Sequence, residues 1–362
     1  MRIDSLKLKN FRNYEYLKID LDPKINIFYG DNAAGKTNIL EAIYLCGTTK
    51  SHRGAKDKEL IRLNEDEAHI GLEYEKRGVA GRIDFHLKRN APKGIAINRI
   101  PIYKASELFG LLSLVFFSPE DLNIIKNGPS ERRRFLDIEL SALNRIYLHQ
   151  LYRYLSVVHH RNALLKDIDK NEKLLKTLDI WDEQLVQYGV EIENYRIDFI
   201  EKINDIISYI HMNLTSGKES LHLSYESSHK GEQLKDAVFN LRERDLRQKN
   251  TMVGPHRDDI CFSVNGLDIR KYGSQGQQRT AALSLKLAEI ELVKRTANEI
   301  PILLLDDVLS ELDRNRQQDL LYSIHDTQTL LTCTGLDEFI QSKFTANKIF
   351  KVNNAQVENE LI

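Results

Sequence analysis

The stretch INIFYGDNAAGKTNILEAI, residues 25–43, constrains the fold of this chain more than any other. Its centre matches the phosphate-loop pattern GxxxxGK[ST] from Gly30 to Thr37, and it joins a short apolar run to an amphipathic one. That reads as strand, loop and helix, and a chain built around it is an α/β protein. Gly30 and Gly35 allow backbone turns that a β-carbon hinders. The amides of Asp31, Asn32, Ala33, Ala34 and Gly35 are then expected to point inward. With the positive end of the following helix they would cradle phosphate. Lys36 is expected to reach the β- and γ-phosphates of ATP, and the Thr37 hydroxyl to ligate Mg²⁺.

A nucleotide site also needs a carboxylate for the metal. PILLLDD, residues 301–307, supplies one: the apolar run Ile302 to Leu305 predicts a buried strand that ends on Asp306. Asp306 is expected to hold the Mg²⁺ shell beside Thr37. Asp307 is placed to orient or deprotonate an attacking water, so Asp307 and Lys36 are the expected catalytic residues.

Between these motifs the pattern changes twice. RIDSLKL, LKIDL, INIFY, AHIGLEYEK and RIDFHLKR predict short strands over the first 120 residues, and LLSLVFF predicts a buried one. Ser118 is the expected N-cap of the segment after it, with Pro119 in the first helical position. From Ser130 the pattern changes: from Phe135 apolar residues recur at three- to five-residue steps, which predicts one long helix, whole or broken, running to about Lys166, and a second is expected from Trp181 to about Met212. The two would form a helical hairpin with the polar link DKNEK at 169–173. DICFSV and LDIR, separated by Asn265-Gly266, predict a β-hairpin with a type I′ turn. Strands and helices then alternate through PILLLDD, RNRQQDLLYSI, TLLTCT and KIFKV, as in a parallel sheet covered by helices. The expected organisation is one lobe from residues 1–120 and 251–362, whose sheet draws on both chain ends. A helical lobe, 121–250, is inserted into it, and the stretch 272–280 is expected at the border between the two.

YGSQGQQRT, residues 272–280, opens an apolar helical run with small and amide side chains. Phosphate loop, helical middle, polar helix start and Asp-Asp strand come in an order that resembles the ATP-binding-cassette ATPases. There one subunit supplies the phosphate loop, and its partner caps the γ-phosphate with a signature motif. GSQGQ, 273–277, is similar to that signature, with Gln275 where a glycine is usual. The resemblance implies that Ser274, Gly276 and Gln277 act in trans, although Ser and Gln also suit a plain N-cap. Asp313 matches the loop that crosses the dimer interface in such ATPases. The chain departs from the class where a histidine usually follows the next strand, since Cys333 and Thr334 stand there. FFSPEDL occupies the region of the usual metal-linking glutamine.

LKNFRNY at 8–14, KSHRGAKDKELI at 50–61, FFSPEDLNIIKNGPSERRRFLD at 116–137, VGPHRDDI at 253–260, YGSQGQQRT and LLLDDVLSELD at 303–313 narrow the match. Together they resemble the RecF family, almost end to end. Related chromosome-maintenance ATPases insert very long coiled coils between the ATP motifs. Here Thr37 and Asp306 are 306 − 37 = 269 residues apart, too few for that. The expected fold is therefore an α/β ABC-type ATPase head with an inserted helical lobe and no long coiled coil. The resemblance implies a cytoplasmic, weakly active, DNA-stimulated ATPase that dimerises on ATP. It implies binding to double-stranded DNA at gap junctions and cooperation with RecO and RecR in loading RecA.

Lys+Arg (52) nearly balance Asp+Glu (53), so DNA binding must rest on local clusters. Arg132, Arg133, Arg161, Arg242 and Arg244 are the expected phosphate contacts. No membrane partner is expected, because no apolar stretch is long enough to span a bilayer. Cys46, Cys261 and Cys333 are far apart and suggest neither zinc site nor disulfide framework. Two alternatives are a transporter ATPase subunit, which would keep the missing histidine, and an ATPase–nuclease, which would need an acidic metal-binding domain.

Overall fold

A computed structural model describes residues 1–168, 175–311, 317, 320, 326–335 and 347–360. Two compact units result: Met1–Asp121 with Glu289–Ile362, and Leu122–Ala288.

The first unit is organised by strand patterning. β1 (Arg2–Phe11), β2 (Tyr14–Asp20), β4 (Glu67–Lys76), β5 (Val79–Lys88), β6 (Ala91–Ile97) and β7 (Ile100–Ile102) form an antiparallel sheet in the order β2-β1-β4-β5-β6-β7. In β4 the alternate residues Ala68, Ile70, Leu72 and Tyr74 point into the core, and those between face solvent. The second sheet has the order β15-β14-β3-β13-β12-β8. It comprises β3 (Ile25–Tyr29), β8 (Leu114–Phe117), β12 (Ile302–Asp306), β13 (Thr329–Cys333), β14 (Lys348–Asn353) and β15 (Gln356–Glu360). All its pairs are parallel except β14 with β15. β12 and β13 are buried on both faces, which is why they read as unbroken apolar runs. As expected, this sheet draws strands from both ends of the chain. Helix α1 (Lys36–Thr48) packs on both sheets, and every residue from Ile39 to Thr48 is buried.

At the end of β8, the Ser118 carbonyl accepts from the Asp121 N–H (3.1 Å). The Ser118 backbone N–H donates to Asp121 Oδ2 (2.7 Å), and Pro119–Asp121 form a 3₁₀ turn before α2 (Leu122–Lys126).

The second unit holds α3 (Pro129–Leu143), α4 (Arg145–Asp167) and α5 (Leu175–Leu214), with α4 packed along α5. The first expected long helix is thus broken at Asn144. Its side chain caps α4 by accepting from the N–H groups of Ile146 and Tyr147. The link DKNEK and Asp313 lie outside the described residues, as does nearly all of RNRQQDLLYSI. β9 (Leu221–Glu226), α6 (Leu234–Asn240), α7 (Arg242–Gln248), β10 (Asp259–Val264), β11 (Leu267–Asp268) and α8 (Ile269–Tyr272) follow. Asn265 and Gly266 both have positive φ (50° and 80°), as a type I′ turn requires. α9 (Gln275–Ala297) begins in this unit and ends in the first.

The second lobe boundary therefore lies at 288/289 and not at 250. The reason is pairing: β10 runs antiparallel to β9, from Asp259↔Glu226 to Val264↔Leu221, which ties the hairpin to the helical unit.

Three arginines sit at the centre of this unit. Arg196 donates to Asp137 Oδ1, the Tyr147 hydroxyl and the Pro255 carbonyl. Arg132 holds Asp259 with Nε and Nη2 (2.6 and 3.0 Å), and Arg161 bridges Asp182 and Asp245 (both 2.7 Å). Arg132 and Arg161 are 1% and 0% exposed. The expectation that they contact DNA is corrected: both guanidinium groups are buried and paired with aspartates within the unit, out of reach of a phosphate backbone. Arg133 is half-buried and donates to the Asp258 carbonyl. Arg242 pairs with Asp179 at 2.6 Å, while Arg244 is exposed.

Removing one partner of such a buried pair strands the opposite charge. Arg161→Ala is expected to lower folding stability by about 3–5 kcal/mol, measured by urea unfolding. Arg244→Ala should change it by less than about 0.5 kcal/mol.

Candidate active site

β3 ends at Tyr29, and the loop from Gly30 to Gly35 leads into α1. Gly30, Ala33 and Gly35 all have positive φ (150°, 64° and 117°), which coils the loop, and the Ala34 N–H donates to the Asp31 carbonyl across it (3.3 Å). A β-carbon on Gly30 would lie 2.1 Å from the Val352 carbonyl oxygen, so only glycine fits there. A β-carbon on Gly35 would meet Asn13 Nδ2 and the Tyr14 hydroxyl at 2.7 and 2.8 Å. Lys36 is buried and donates to the carbonyls of Gly30 (2.6 Å) and Asp31 (2.8 Å). The first turn of α1 carries no acidic side chain to neutralise its positive end.

The second motif arrives through sheet order. β13 lies between β3 and β12, so Thr37 and Asp306 meet although 269 residues separate them. Thr37 Oγ1 donates to Asp306 Oδ1 at 2.8 Å. Thr332 Oγ1 donates to the same oxygen at 2.8 Å. Asp307 follows with φ 53°, an uncommon left-handed position for a non-glycine residue. Its N–H donates to Thr332 Oγ1 (2.9 Å).

Several supporting residues sit in the family-like segments but had no role assigned from sequence. Asn13 Nδ2 and the Tyr14 hydroxyl donate to the loop carbonyls of Ala34 and Gly35, and Ala355 N–H donates to Ala34. Burial raises the Tyr14 phenol far above its ordinary range, so it stays a neutral donor. Arg12 grips Glu41 of α1 with two hydrogen bonds (2.8 and 2.7 Å), and Ser51 adds a third at 2.5 Å. Burial alone would raise the Glu41 pKa. Hydrogen bonds from Arg12 and Ser51 outweigh it and hold the carboxylate below its usual range. These contacts join residues far apart in sequence, and no local pattern announces them.

In the helical unit the polar stretch forms a reciprocal cap. Ser274 Oγ accepts from Gln277 N–H (3.2 Å), and Gln277 Oε1 accepts from Ser274 N–H (2.9 Å). Gln277 Nε2 also donates to Glu219 (3.0 Å). Gly273 is enforced, since a β-carbon would lie 2.5 Å from the Ile269 carbonyl oxygen. Ser274 and Gly276 are exposed, and no acidic residue lies in the first turn of α9.

Residues 2–358 match the family described as RecF/RecN/SMC N terminal domain. The chain is 59% identical over 358 residues to the "DNA replication and repair protein RecF" of Agathobacter rectalis, covering 99% of both chains. It is 46% identical to the protein of the same description in Clostridium perfringens, over 99% of this chain and all of the relative. The chain belongs to the RecF family. A solved "recombination mediator protein RecF-ATP in RecFOR pathway" superposes with a TM-score of 0.93 at 35% identity, over 99% of this chain and 98% of that one. A solved SMC head (17% identity, TM-score 0.59) shares the fold alone. This RecF-family chain is thus a DNA replication and repair protein with an ABC/SMC-type ATPase head, and the transporter and nuclease alternatives fall away. Among the described residues, no helix is long and apolar enough to cross a membrane.

Gly30→Ala is expected to force the loop off Val352 and weaken ATP binding by about tenfold or more, measured by fluorescent-nucleotide titration.

Proposed function

We propose that this protein is an ATP-driven dimerisation switch. It would bind duplex DNA beside single-strand gaps and work with RecO and RecR to load RecA. The observation that carries the reading is the Thr37–Asp306 contact at the open, positive end of α1. A phosphate loop and a strand-end carboxylate converge there as nucleotide hydrolysis needs. A solved relative is described with ATP in the RecFOR pathway, which supports the same reading.

The donor set fits Mg²⁺. A hydroxyl and a carboxylate oxygen 2.8 Å apart are hard ligands of the kind the ion takes, and Thr37 and Asp306 would hold it. When bound, the ion would neutralise charge on the phosphates. The chain itself would do the rest. The loop amides of Asp31 to Gly35 would bind the β-phosphate, and Lys36 would exchange its two carbonyl partners for phosphate oxygens. Asp307, held beside Asp306 by the Thr332 hydrogen bond, would accept a proton from the attacking water. Ser274 and Gly276 of a second copy would cap the γ-phosphate, with the Ser274–Gln277 cap holding the start of α9 rigid. Hydrolysis would leave ADP and inorganic phosphate, and departure of the phosphate would remove the anion that Ser274 and Gly276 of the second copy cap, so the dimer opens.

DNA contact in this reading falls to exposed cations. Arg244 and its neighbour Arg247 on α7 are exposed. Arg133 and Arg242, already engaged within the unit, would contribute less. The site of action is the cytoplasm.

Lys36→Met is expected to abolish both ATP-induced dimerisation and turnover. Asp307→Asn should still bind ATP and dimerise, but hydrolyse about 10²–10⁴-fold more slowly. Light scattering with and without ATP, alongside phosphate release, separates the two. A Lys36→Met protein that dimerises normally would overturn the nucleotide site.

Ser274→Arg should leave monomeric ATP affinity near wild type while dimerisation and hydrolysis fail. Mixed with Lys36→Met it forms heterodimers holding one composite site with both defects and one with neither. Turnover should partly recover across mixing ratios. Loss of monomeric ATP binding in Ser274→Arg would defeat the trans assignment.

A further inference from the structure

Away from the nucleotide loop, the antiparallel sheet presents three metal-ligating side chains on its solvent face. Glu67 and His69 are two residues apart on β4, so they share a face. His86 of β5 stands directly opposite His69 in the register. The imidazoles are nearly parallel, with centroids 4.1 Å apart. Both Nε2 atoms are turned to one carboxylate: His86 Nε2 lies 2.8 Å from Glu67 Oε2, and His69 Nε2 lies 3.7 Å from Glu67 Oε1. One ligand atom from each of the three lies within 4.8 Å of the others. Among the described residues this is the one such convergence of three His, Cys, Asp or Glu side chains.

From this geometry we infer that Glu67, His69 and His86 form a surface site for a borderline divalent transition metal such as Zn²⁺ or Ni²⁺.

The donor set decides the class of ion. Two neutral imidazoles and one carboxylate suit Zn²⁺, Ni²⁺ or Cu²⁺, whereas Mg²⁺ and Ca²⁺ take oxygen ligands. Zn–N and Zn–O bonds are about 2.0–2.2 Å, so ligand atoms near 3–4 Å apart need small side-chain rotations only. The strands do not have to move, because a paired antiparallel ladder fixes the three Cβ positions. In the apo chain a proton occupies the line between His86 Nε2 and Glu67, and a metal ion would replace it. Access is open: the residue opposite His86 on β6 is Gly94, which has no side chain to cover the ring. Three protein ligands leave at least one coordination position to solvent or to an incoming donor. Two cations oppose binding, Lys9 opposite His69 and Lys88 opposite Glu67. They limit the affinity, while Arg82 is held away by its hydrogen bonds to Asp84. The site differs in chemistry from Thr37 and Asp306, so excess Mg²⁺ should occupy one and leave the other.

Isothermal titration of the full chain with Zn²⁺, and separately Ni²⁺, in excess Mg²⁺ tests this. One ion per chain should bind saturably. His69→Ala and His86→Ala should each weaken it by about tenfold or more. His159→Ala/His160→Ala, which removes an adjacent exposed histidine pair, should leave it unchanged. Both single variants keep the buried face of the sheet, and unchanged circular dichroism checks that they fold. Co²⁺ bound to wild type should show a d–d spectrum that the His86→Ala variant loses. No saturable ion beyond Mg²⁺, or the same affinity in both single variants, would overturn the site.

Discussion

Helix α1 has no solvent face beyond its first turn. Both sheets of its unit close on it, and Ile39 to Thr48 are all buried. A helix held on every side cannot tilt, so its positive end points where the packing aims it. A phosphate site needs this, because preorganised amides bind an anion without first paying for their own ordering. Even the charged residue within the buried stretch serves the same end. Glu41 is tolerated at 0% exposure because Arg12 and Ser51 meet its oxygens, and those bonds tie the turn between β1 and β2 and the segment after α1 to the helix.

The strand order does the rest of the work at the site. β3, β13 and β12 are neighbours in parallel, so their carboxyl ends finish side by side. In open parallel sheets that edge is where ligands bind. Thr37 from one chain end and Asp306 from the other come within hydrogen-bonding distance there. Thr332, on the strand between, uses one hydroxyl for both: it donates to Asp306 Oδ1 and accepts from the Asp307 N–H. The high identity to RecF relatives over the whole length fits a site that needs both ends of the chain.

The helical unit follows a different logic. Its helices are amphipathic, yet guanidinium groups thread their contact surfaces, each met by carboxylates or carbonyls. A basic run therefore says little about which of its members meet solvent. Arg132, Arg133 and Arg134 are adjacent in sequence, but helical geometry sends Arg132 into the buried contact with Asp259 and leaves Arg133 half-exposed. Arg161 goes inward for the same reason. The VGPHRDDI segment supplies many of the acceptors, including Pro255, Asp258 and Asp259.

The sequence by itself determined the elements whose signals are local. The glycine pattern of the phosphate loop, the apolar run before Asp306, the Asn265-Gly266 turn and the Ser274 helix start each depend on neighbours within a few residues, and each forms where it was expected. Strand and helix periodicity likewise marked most of the core. Tertiary structure alone decided the pairings across long separations. These are β10 with β9, which moved the lobe boundary to 288/289; Arg132 and Arg161 with aspartates distant in sequence; Asn13 and Tyr14 with the loop; and Glu67 with His69 and His86 across two strands. The physical reason is that burial and partner choice are properties of the folded contact surface. A side chain's type permits several partners, and only the packing of distant segments selects one.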